Sequence, residues 1–168
     1  MIIWVASYPK SGNTLVRSIL TSLIYSGDGN FNFNLLKKID QYPQNHHFEG
    51  LMNKFNNIDE LSKFWTISQD KLNFDKKIKF LKTHHLRCGM GNYTFTNSKN
   101  TIGTIYIVRD PRDVIISFAQ HHSLSIEEAK HHMFRPDSYG FPEREKNPDL
   151  ALRTLFGSWS DHNNSWTK

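Results

Sequence analysis

The stretch IIWVASYPKSGNTLVRSIL, Ile2–Leu20, contains the change of pattern that decides the fold. Its first part, Ile2–Tyr8, is short, β-branched or aromatic and nearly all apolar, which is typical of a strand covered on both faces. Pro9 and Gly12 close that run. Apolar residues then return at helical spacing, which predicts a helix over Asn13–Tyr25. The apolar positions of this helix are Leu15, Val16, Ile19, Leu20, Leu23 and Ile24. The stretch therefore predicts a strand, a loop and a helix in direct succession.

Two later segments have the character of the first strand. They are KFLKT, Lys79–Thr83, and TIYIV, Thr104–Val108, and the second is the stronger candidate because its run from Ile105 to Val108 is unbroken. Long segments separate the three strands, and short strands joined by long helical connections favour a parallel α/β sheet with helices on its faces. The length of 168 residues requires no second domain. We therefore predict a single domain, residues 1–168.

Four further helices are predicted. One covers Asp59–Trp65, with Asp59 as its cap. Another begins at Asp110, with Pro111 at the first helical position. A short helix covers Ser125–Met133, and an amphipathic helix runs from Leu152 to Trp166, with its tryptophans expected in the core.

The composition of the chain makes some classes of function less consistent with the sequence than others. Lys and Arg number 21 against 16 Asp and Glu, a net charge of +5 that suits an anionic ligand but does not indicate nucleic acid. The one cysteine, Cys88, can form no internal disulfide and belongs to no CxxC zinc motif. No apolar run approaches the roughly 18 residues of a membrane span. We expect a cytoplasmic protein with neither a nucleic acid nor a membrane as partner.

The loop SYPKSGNT, between the first strand and helix, is the clearest candidate for a binding site. Backbone N–H groups at a helix N-terminus converge on an anion, and Gly12 permits close approach. Ser11 and Thr14 add hydroxyl donors, and Lys10 adds a positive charge. Pro, Ser, Gly and Asn are also common turn residues, so a plain connecting turn stays open at this point.

The position of the lysine distinguishes this loop from that of ordinary nucleoside triphosphatases. In GxxxxGK[ST] the lysine follows the last glycine. Here Lys10 precedes Gly12, and Asn13 takes the usual place of the lysine. A kinase or NTPase remains an alternative, since Asp110 follows an apolar strand where a Mg²⁺-linked acid could lie.

Four blocks in order resemble the sulfotransferases of cytosolic type that use 3′-phosphoadenosine 5′-phosphosulfate (PAPS). YPKSGNTLVR, Tyr8–Arg17, resembles their 5′-phosphosulfate loop, and YIVRDPRDVIISF, Tyr106–Phe118, resembles their 3′-phosphate segment. FLKTHH, Phe80–His85, is similar to their KTH segment, and GSWSDHNNSW, Gly157–Trp166, to a later GSW stretch. The resemblance implies an α/β, P-loop-like three-layer fold and transfer of a sulfuryl group from PAPS to a small molecule bearing a hydroxyl or amine.

The resemblance also implies a role for each matching residue. His84 is the general base, Lys10 stabilises the departing phosphate oxygen, and Lys82 holds the transferring group. Arg109 and Ser117 contact the 3′-phosphate, and Ser117 also engages the loop lysine. The residues implied for nucleotide binding are Lys10, Ser11, Gly12, Asn13, Thr14, Arg109 and Ser117. No metal is implied.

Other histidines have simpler explanations. His85 should leave the strand on the face opposite His84, so its replacement by Ala is expected to be mild. The pairs His46-His47, His121-His122 and His131-His132 lack the i, i+4 spacing of a helical metal site, and we expect them on solvated faces.

Two departures from the family pattern bear on activity. Leu15 stands where members usually have Trp. Members also continue beyond the GSW stretch to a basic segment that closes over the 3′-phosphate, so we expect a sulfotransferase-like domain lacking its C-terminal part. A non-catalytic remnant that binds PAPS or its product is therefore a second alternative. The sequence specifies neither the acceptor nor the oligomeric state.

Overall fold

The computed structural model describes residues 1–52, 54–140 and 154–168. The strands in chain order are β1 (Ile2–Ser7), β2 (Asp40–Gln41), β3 (Lys79–Thr83), β4 (Gly89–Met90), β5 (Tyr93–Thr94) and β6 (Thr101–Ile107). The helices are α1 (Asn13–Tyr25), α2 (Ile58–Ser62), α3 (Trp65–Leu72), α4 (Pro111–His122), α5 (Ile126–Phe134) and α6 (Trp159–Thr167). Two short 3-10 helices, Phe33–Lys38 and Asn45–Phe48, lie between α1 and α2.

A parallel sheet in the order β2–β3–β1–β6 forms the centre of the fold. β1 pairs with β3 on one side and β6 on the other, so that Ala6 lies opposite both Thr83 and Tyr106. The two inner strands end side by side, and their carboxyl ends share one edge. This arrangement confirms the predicted α/β fold with a central parallel sheet flanked by helices. β4 and β5 form a separate antiparallel hairpin.

The main core is aromatic and gathers around Trp4 of β1. Its ring lies 5.4 Å from those of Tyr42 and Phe95 and 6.1 Å from that of Trp166. All four side chains are buried. Aromatic pairs at these separations add to the stabilisation from burial of their area. Trp166 thus packs α6 against the central strand. Its burial agrees with the prediction that the C-terminal tryptophans lie in the core.

Helix α1 has the predicted bounds, but its apolar residues do not face the core. Leu15, Ile19 and Leu23 are exposed by 66%, 53% and 75%, whereas Asn13 and Thr21 are the buried residues. The apolar spacing correctly indicated a helix and incorrectly indicated its buried face. Among the described residues, no element covers this face.

The predicted C-terminal helix begins later than its apolar spacing indicated. Leu155 lies in an isolated bridge with Tyr139, and Gly157 has a φ of +66° that interrupts any helix. Ser158 then caps α6 by accepting a hydrogen bond from the Asp161 N–H. Residues 151–153, where the helix was expected to start, lie outside the described residues.

The other elements differ from expectation mainly at their ends. The predicted helix Asp59–Trp65 is split between α2, which Asn57 caps, and α3. β6 begins at Thr101 instead of Thr104 and ends at Ile107. Asp110 caps α4 as predicted. In the part of the chain that the structure describes, no helix has the length and hydropathy needed to cross a bilayer.

Candidate functional site

A cleft of about 520 Å³ opens at the carboxyl edge of the sheet, beyond the ends of β1, β3 and β6. Ligands of open α/β sheets bind at this edge, because the loops that follow the strands converge there. The cleft is lined by Pro9, Lys10, Gly12, Asn13, Thr14, Lys82, His84, Arg109, Ser117, His121, His122 and Phe156. The structure therefore brings together every predicted site residue except Ser11.

The loop between β1 and α1 has the backbone shape of an anion cradle. Lys10 and Gly12 both have left-handed backbones, with φ of +67° and +98°. A lysine held there is strained, and such strain is concentrated at functional sites. No side chain caps the N-terminus of α1 and its first turn carries no acid, so the first N–H groups of α1 remain available to an anion.

Ser11 and Asn13 contribute differently from the prediction. The Ser11 N–H donates to Tyr8 O at 3.3 Å, and its hydroxyl is buried without a hydrogen-bond partner among the described residues. The Asn13 amide donates to Val5 O at 3.1 Å and to Ser7 Oγ at 3.2 Å. The Asn13 side chain thus joins the start of α1 to the end of β1. Only its backbone N–H is left to face an anion.

His84 follows β3 directly and has a defined tautomer. Its Nδ1 lies 2.8 Å from Ser7 O and 3.2 Å from Ser7 Oγ. A carbonyl oxygen can only accept, so Nδ1 carries the proton and donates it. Nε2 is then the unprotonated, basic nitrogen of the neutral ring. The backbone carbonyl of His84 accepts a hydrogen bond of 3.1 Å from His162 Nε2.

Burial sets the protonation state of two groups in the cleft. The pKa of His84 lies well below its ordinary value, first because burial disfavours the imidazolium and then because Lys82 is positive. Burial also lowers the pKa of Lys82 to about 8, with a smaller contribution from Arg17. Lys82 donates to Gln41 Oε1 at 2.7 Å. At neutral pH the cleft therefore contains a neutral histidine beside a lysine that is mostly cationic.

Arg109 and Ser117 lie on the side of the cleft formed by β6 and α4. Arg109 Nη1 donates to Lys10 O at 3.3 Å, and its Nε lies 3.7 Å from Asp113 Oδ2. The side chain is 42% exposed, so this ion pair is weak and leaves the guanidinium accessible. Ser117 lies two turns into α4 on the cleft wall. The pairing of Arg109 with Asp113 is thus compatible with a place in the site.

Sequence reasoning missed several residues of the site. Ser7 orients His84 through its carbonyl, and only the parallel register that sets the ends of β1 and β3 side by side could have indicated this contact. Phe156, His121 and His122 also line the cleft. His121 is exposed and His122 half-buried, so the pair is solvated as expected, but on the wall of the cleft.

The pair His46-His47 also departs from expectation, since His47 is buried and both rings contact Asp40. The three residues are close enough to share a metal ion. The backbone N–H of Gln44 donates to His47 Nδ1 at 3.1 Å, which puts the proton of His47 on Nε2. That Nε2–H donates to Asp40 Oδ2 at 3.2 Å. The Asp40 carboxylate is thus paired with imidazole donors rather than with a metal. A metal at His47 Nε2 would require the ring proton to move to Nδ1, which would break the hydrogen bond from the Gln44 N–H.

The described wall of the cleft contains no acid of the kind that a nucleoside triphosphatase uses. Asp110 accepts from the Arg112 backbone N–H at 2.9 Å and pairs with the Arg112 guanidinium at 2.6 Å. No Asp or Glu is among the described residues that line the cleft. Lys10, Lys82 and Arg109 line the cleft, so the lining is cationic and suited to a polyanion.

Comparison with known proteins identifies the family of the chain. Human Sulfotransferase 2B1 is 25% identical over 166 residues, which cover 99% of this chain and 37% of that protein. The chain thus spans little more than a third of the length of this curated relative. The family model of the sulfotransferase domain matches residues 2–168. With a match over nearly its whole length, the chain belongs to the sulfotransferase family.

Proposed function

We propose that this cleft binds PAPS and that the chain catalyses transfer of its sulfuryl group to an acceptor hydroxyl or amine. One observation carries the proposal. A neutral histidine with its proton fixed on Nδ1 lies in the same cleft as an anion-binding loop and three cationic side chains. A proton acceptor beside a polyanion site is what in-line transfer of an anionic group requires.

The residues of the cleft fit both ends of such a donor. The 5′-phosphosulfate would be held by the loop and α1 N-terminus, through backbone N–H groups from Gly12 to Thr14 and the Lys10 ammonium. Arg109 and Ser117, on the side of the cleft formed by β6 and α4, would hold the 3′-phosphate, with the guanidinium as a forked donor.

The chemistry of the site would rest on proton acceptance and charge stabilisation. PAPS, when bound, supplies a sulfuryl group on a phosphate leaving group. His84 Nε2 would take the proton of the acceptor, and Ser7 would stabilise the resulting imidazolium at Nδ1. Lys10 would stabilise negative charge on the departing phosphate oxygen, and Lys82 would hold the transferring group. These steps need no metal ion.

Calorimetry with three nucleotides tests the binding half of the proposal. We expect adenosine 3′,5′-bisphosphate (PAP) to bind more tightly than adenosine 5′-monophosphate, which lacks the 3′-phosphate, and more tightly than MgATP. Arg109→Ala should weaken PAP binding by about 1.5 kcal/mol, the lower end for a charge-assisted contact, since the side chain is partly exposed. Arg112→Ala is the matched control, because Arg112 is 88% exposed and bonded to Asp110.

Equal affinity for the three nucleotides, or a preference for MgATP, would overturn this assignment in favour of the kinase alternative. A second assay measures PAP released from PAPS in EDTA with a phenol, a primary alcohol and an amine as model acceptors. Release that depends on an acceptor supports the transferase. Binding of PAP without any release would identify the chain as a binding protein.

A further inference from the structure

Among the described residues, the segment His84–Arg87 leaves β3 without pairing to another strand, yet most of its backbone groups are held by residues between positions 155 and 166. It joins β3 to β4. His162 Nε2 donates to His84 O at 3.1 Å, and Trp166 Nε1 donates to His85 O at 3.0 Å. These two donors lie four residues apart on α6, so one face of that helix bonds to two successive carbonyls.

The backbone N–H groups of the same segment are also held. The Leu86 N–H donates to Leu155 O at 2.7 Å, and the Arg87 N–H donates to Ser165 Oγ at 3.2 Å. The side chain of Leu86 packs so closely on Gly157 that a Cβ at this glycine would lie 3.1 Å from Leu86 Cδ2. The His85 N–H donates to Thr83 Oγ1 of β3 at 3.0 Å, and the other four hydrogen bonds hold the segment to Leu155–Trp166.

The ring of His162 is itself fixed. The Tyr106 hydroxyl lies 2.9 Å from Nδ1, and since Nε2 donates to a carbonyl, the hydroxyl must be the donor to Nδ1. The ring is fully buried, faces Tyr106 at 5.7 Å and meets Tyr8 edge-on at 5.6 Å. Tyr106 belongs to β6, so the chain Tyr106–His162–His84 links the third strand of the cleft to the proposed base.

We propose that His162 is a positioning residue, which fixes the main chain of His84 while Ser7 fixes its side chain. The proposal rests on the proposed function for the role given to His84. The backbone carbonyl of His84 is bonded to His162, and its Nδ1 is bonded to Ser7 O. The main chain and the ring are therefore both fixed, so that Nε2 points in one direction. Without His162 the peptide after His84 keeps the hydrogen bond from the His85 N–H to Thr83 Oγ1 at 3.0 Å but loses the donor to its carbonyl, so the carbonyl end can shift. A displacement of about 1 Å at a reacting group can cost about 100-fold in rate.

Three variants separate positioning from general stability. His162→Leu removes both hydrogen bonds, His162→Gln retains an N–H donor and an oxygen acceptor, and Tyr106→Phe removes only the donor to Nδ1. His131→Gln, on an exposed part of α5, is the control. Nitrogen-15 NMR of the histidines reports the tautomer of His84 without any need for turnover. PAP affinity and PAP release from PAPS complete the measurements.

We expect His84 to show a single Nδ1–H tautomer in the wild-type chain, in His162→Gln and in the control. In His162→Leu it should become a mixture, and turnover should fall about 10- to 100-fold while PAP affinity changes less than about 2-fold. His162→Gln should restore turnover to within about 3-fold of wild type. Tyr106→Phe should shift the His84 signal in the same direction as His162→Leu, by a smaller amount.

An unchanged His84 tautomer in His162→Leu would overturn the proposal, as would a His162→Gln variant that behaves like His162→Leu. Loss of PAP affinity in step with turnover would show a general structural role instead. If His162→Leu does not fold, Tyr106→Phe decides, and an unchanged His84 signal there refutes the link. Absence of turnover in every form counts against the proposed function alone, because the tautomer measurement still tests the position of His84.

Discussion

Acidification should destabilise this protein steeply, because the folded chain buries histidines in their neutral form. His85 and His162 are fully buried, and burial lowers their pKa values to about 4 and about 3. The ordinary value in an unfolded chain is about 6.5. Since the folded pKa values are depressed, the unfolded state takes up protons first as the pH falls. Stability is therefore fully present above pH 6.5 and is lost progressively below it.

The size of the effect follows from these two pKa values. When the pH falls from 8 to 5, each of these histidines lowers the free energy of unfolding by about 2 kcal/mol. The reason is that the unfolded form becomes protonated and the folded form does not. Together His85 and His162 cost about 4 kcal/mol, a large part of the 5 to 15 kcal/mol that holds a typical domain folded. His84 adds a contribution of the same sign, because its pKa is also lowered.

Urea unfolding at pH 8 and pH 5, followed by tryptophan fluorescence, measures this loss. His85→Phe is the informative variant, because His85 stacks on Phe95 at 4.5 Å with an interplanar angle of 9° and touches Trp65, where a phenyl ring fits. The variant loses one titrating group, so its stability should fall about 2 kcal/mol less over this pH range than that of the wild type. Equal stability at the two pH values, or an unchanged pH dependence in His85→Phe, would refute the reasoning.

The same packing of His85 means that the substitution His85→Ala should not have the mild effect expected from the sequence. His85 does leave the strand away from the cleft, as the alternation of strand side chains predicted, but it enters the aromatic core. Removing a buried ring leaves a cavity that costs about 3 kcal/mol or more. His85→Ala is therefore a test of folding and not a neutral control for His84.

Two further predictions concern the cleft. Because the pKa of Lys82 is about 8 and Lys82 is proposed to hold the transferring group, affinity for PAPS without an acceptor should fall about 10-fold between pH 7 and pH 9 as the free ammonium loses its proton. Calorimetry on Lys82→Met should show a flatter pH dependence, and the same slope in both proteins would exclude a contact between Lys82 and PAPS. His84→Ala should lower PAP release from PAPS by about 100- to 10,000-fold with PAP affinity unchanged; a parallel loss of affinity would make His84 a structural residue.

The sequence predicted best the elements whose pattern is local. β3 and α1 have the predicted bounds because a short run around Phe80 and Leu81 and a 3.6-residue period are each visible within one window. The face that α1 buries depends on which elements lie beside it, and that information is not local. The true start of α6 was recognisable in principle, since Gly157 and Ser158 together form a break and a cap.

The site was predictable to the extent that its residues fall in motifs. The loop, Arg109, Ser117 and His84 could be named from the sequence, and the cleft contains them. The contacts that orient these residues could not be named, because they join positions far apart in the chain. Ser7 meets His84 and His162 meets Tyr106 only through the strand register and the docking of α6.

The central position of β1 has a consequence for how the protein comes to be folded. β1 is synthesised first, but its neighbours in the sheet begin at Lys79 and Thr101. Contacts this distant in sequence close large loops and form slowly. His162, which holds the carbonyl of His84, lies in α6, so it leaves the ribosome after the four strands of the described sheet. The loop after β1 and Arg109 can therefore meet while that carbonyl still lacks its donor, and under the proposed function a nascent chain should acquire affinity for PAP before it can transfer a sulfuryl group.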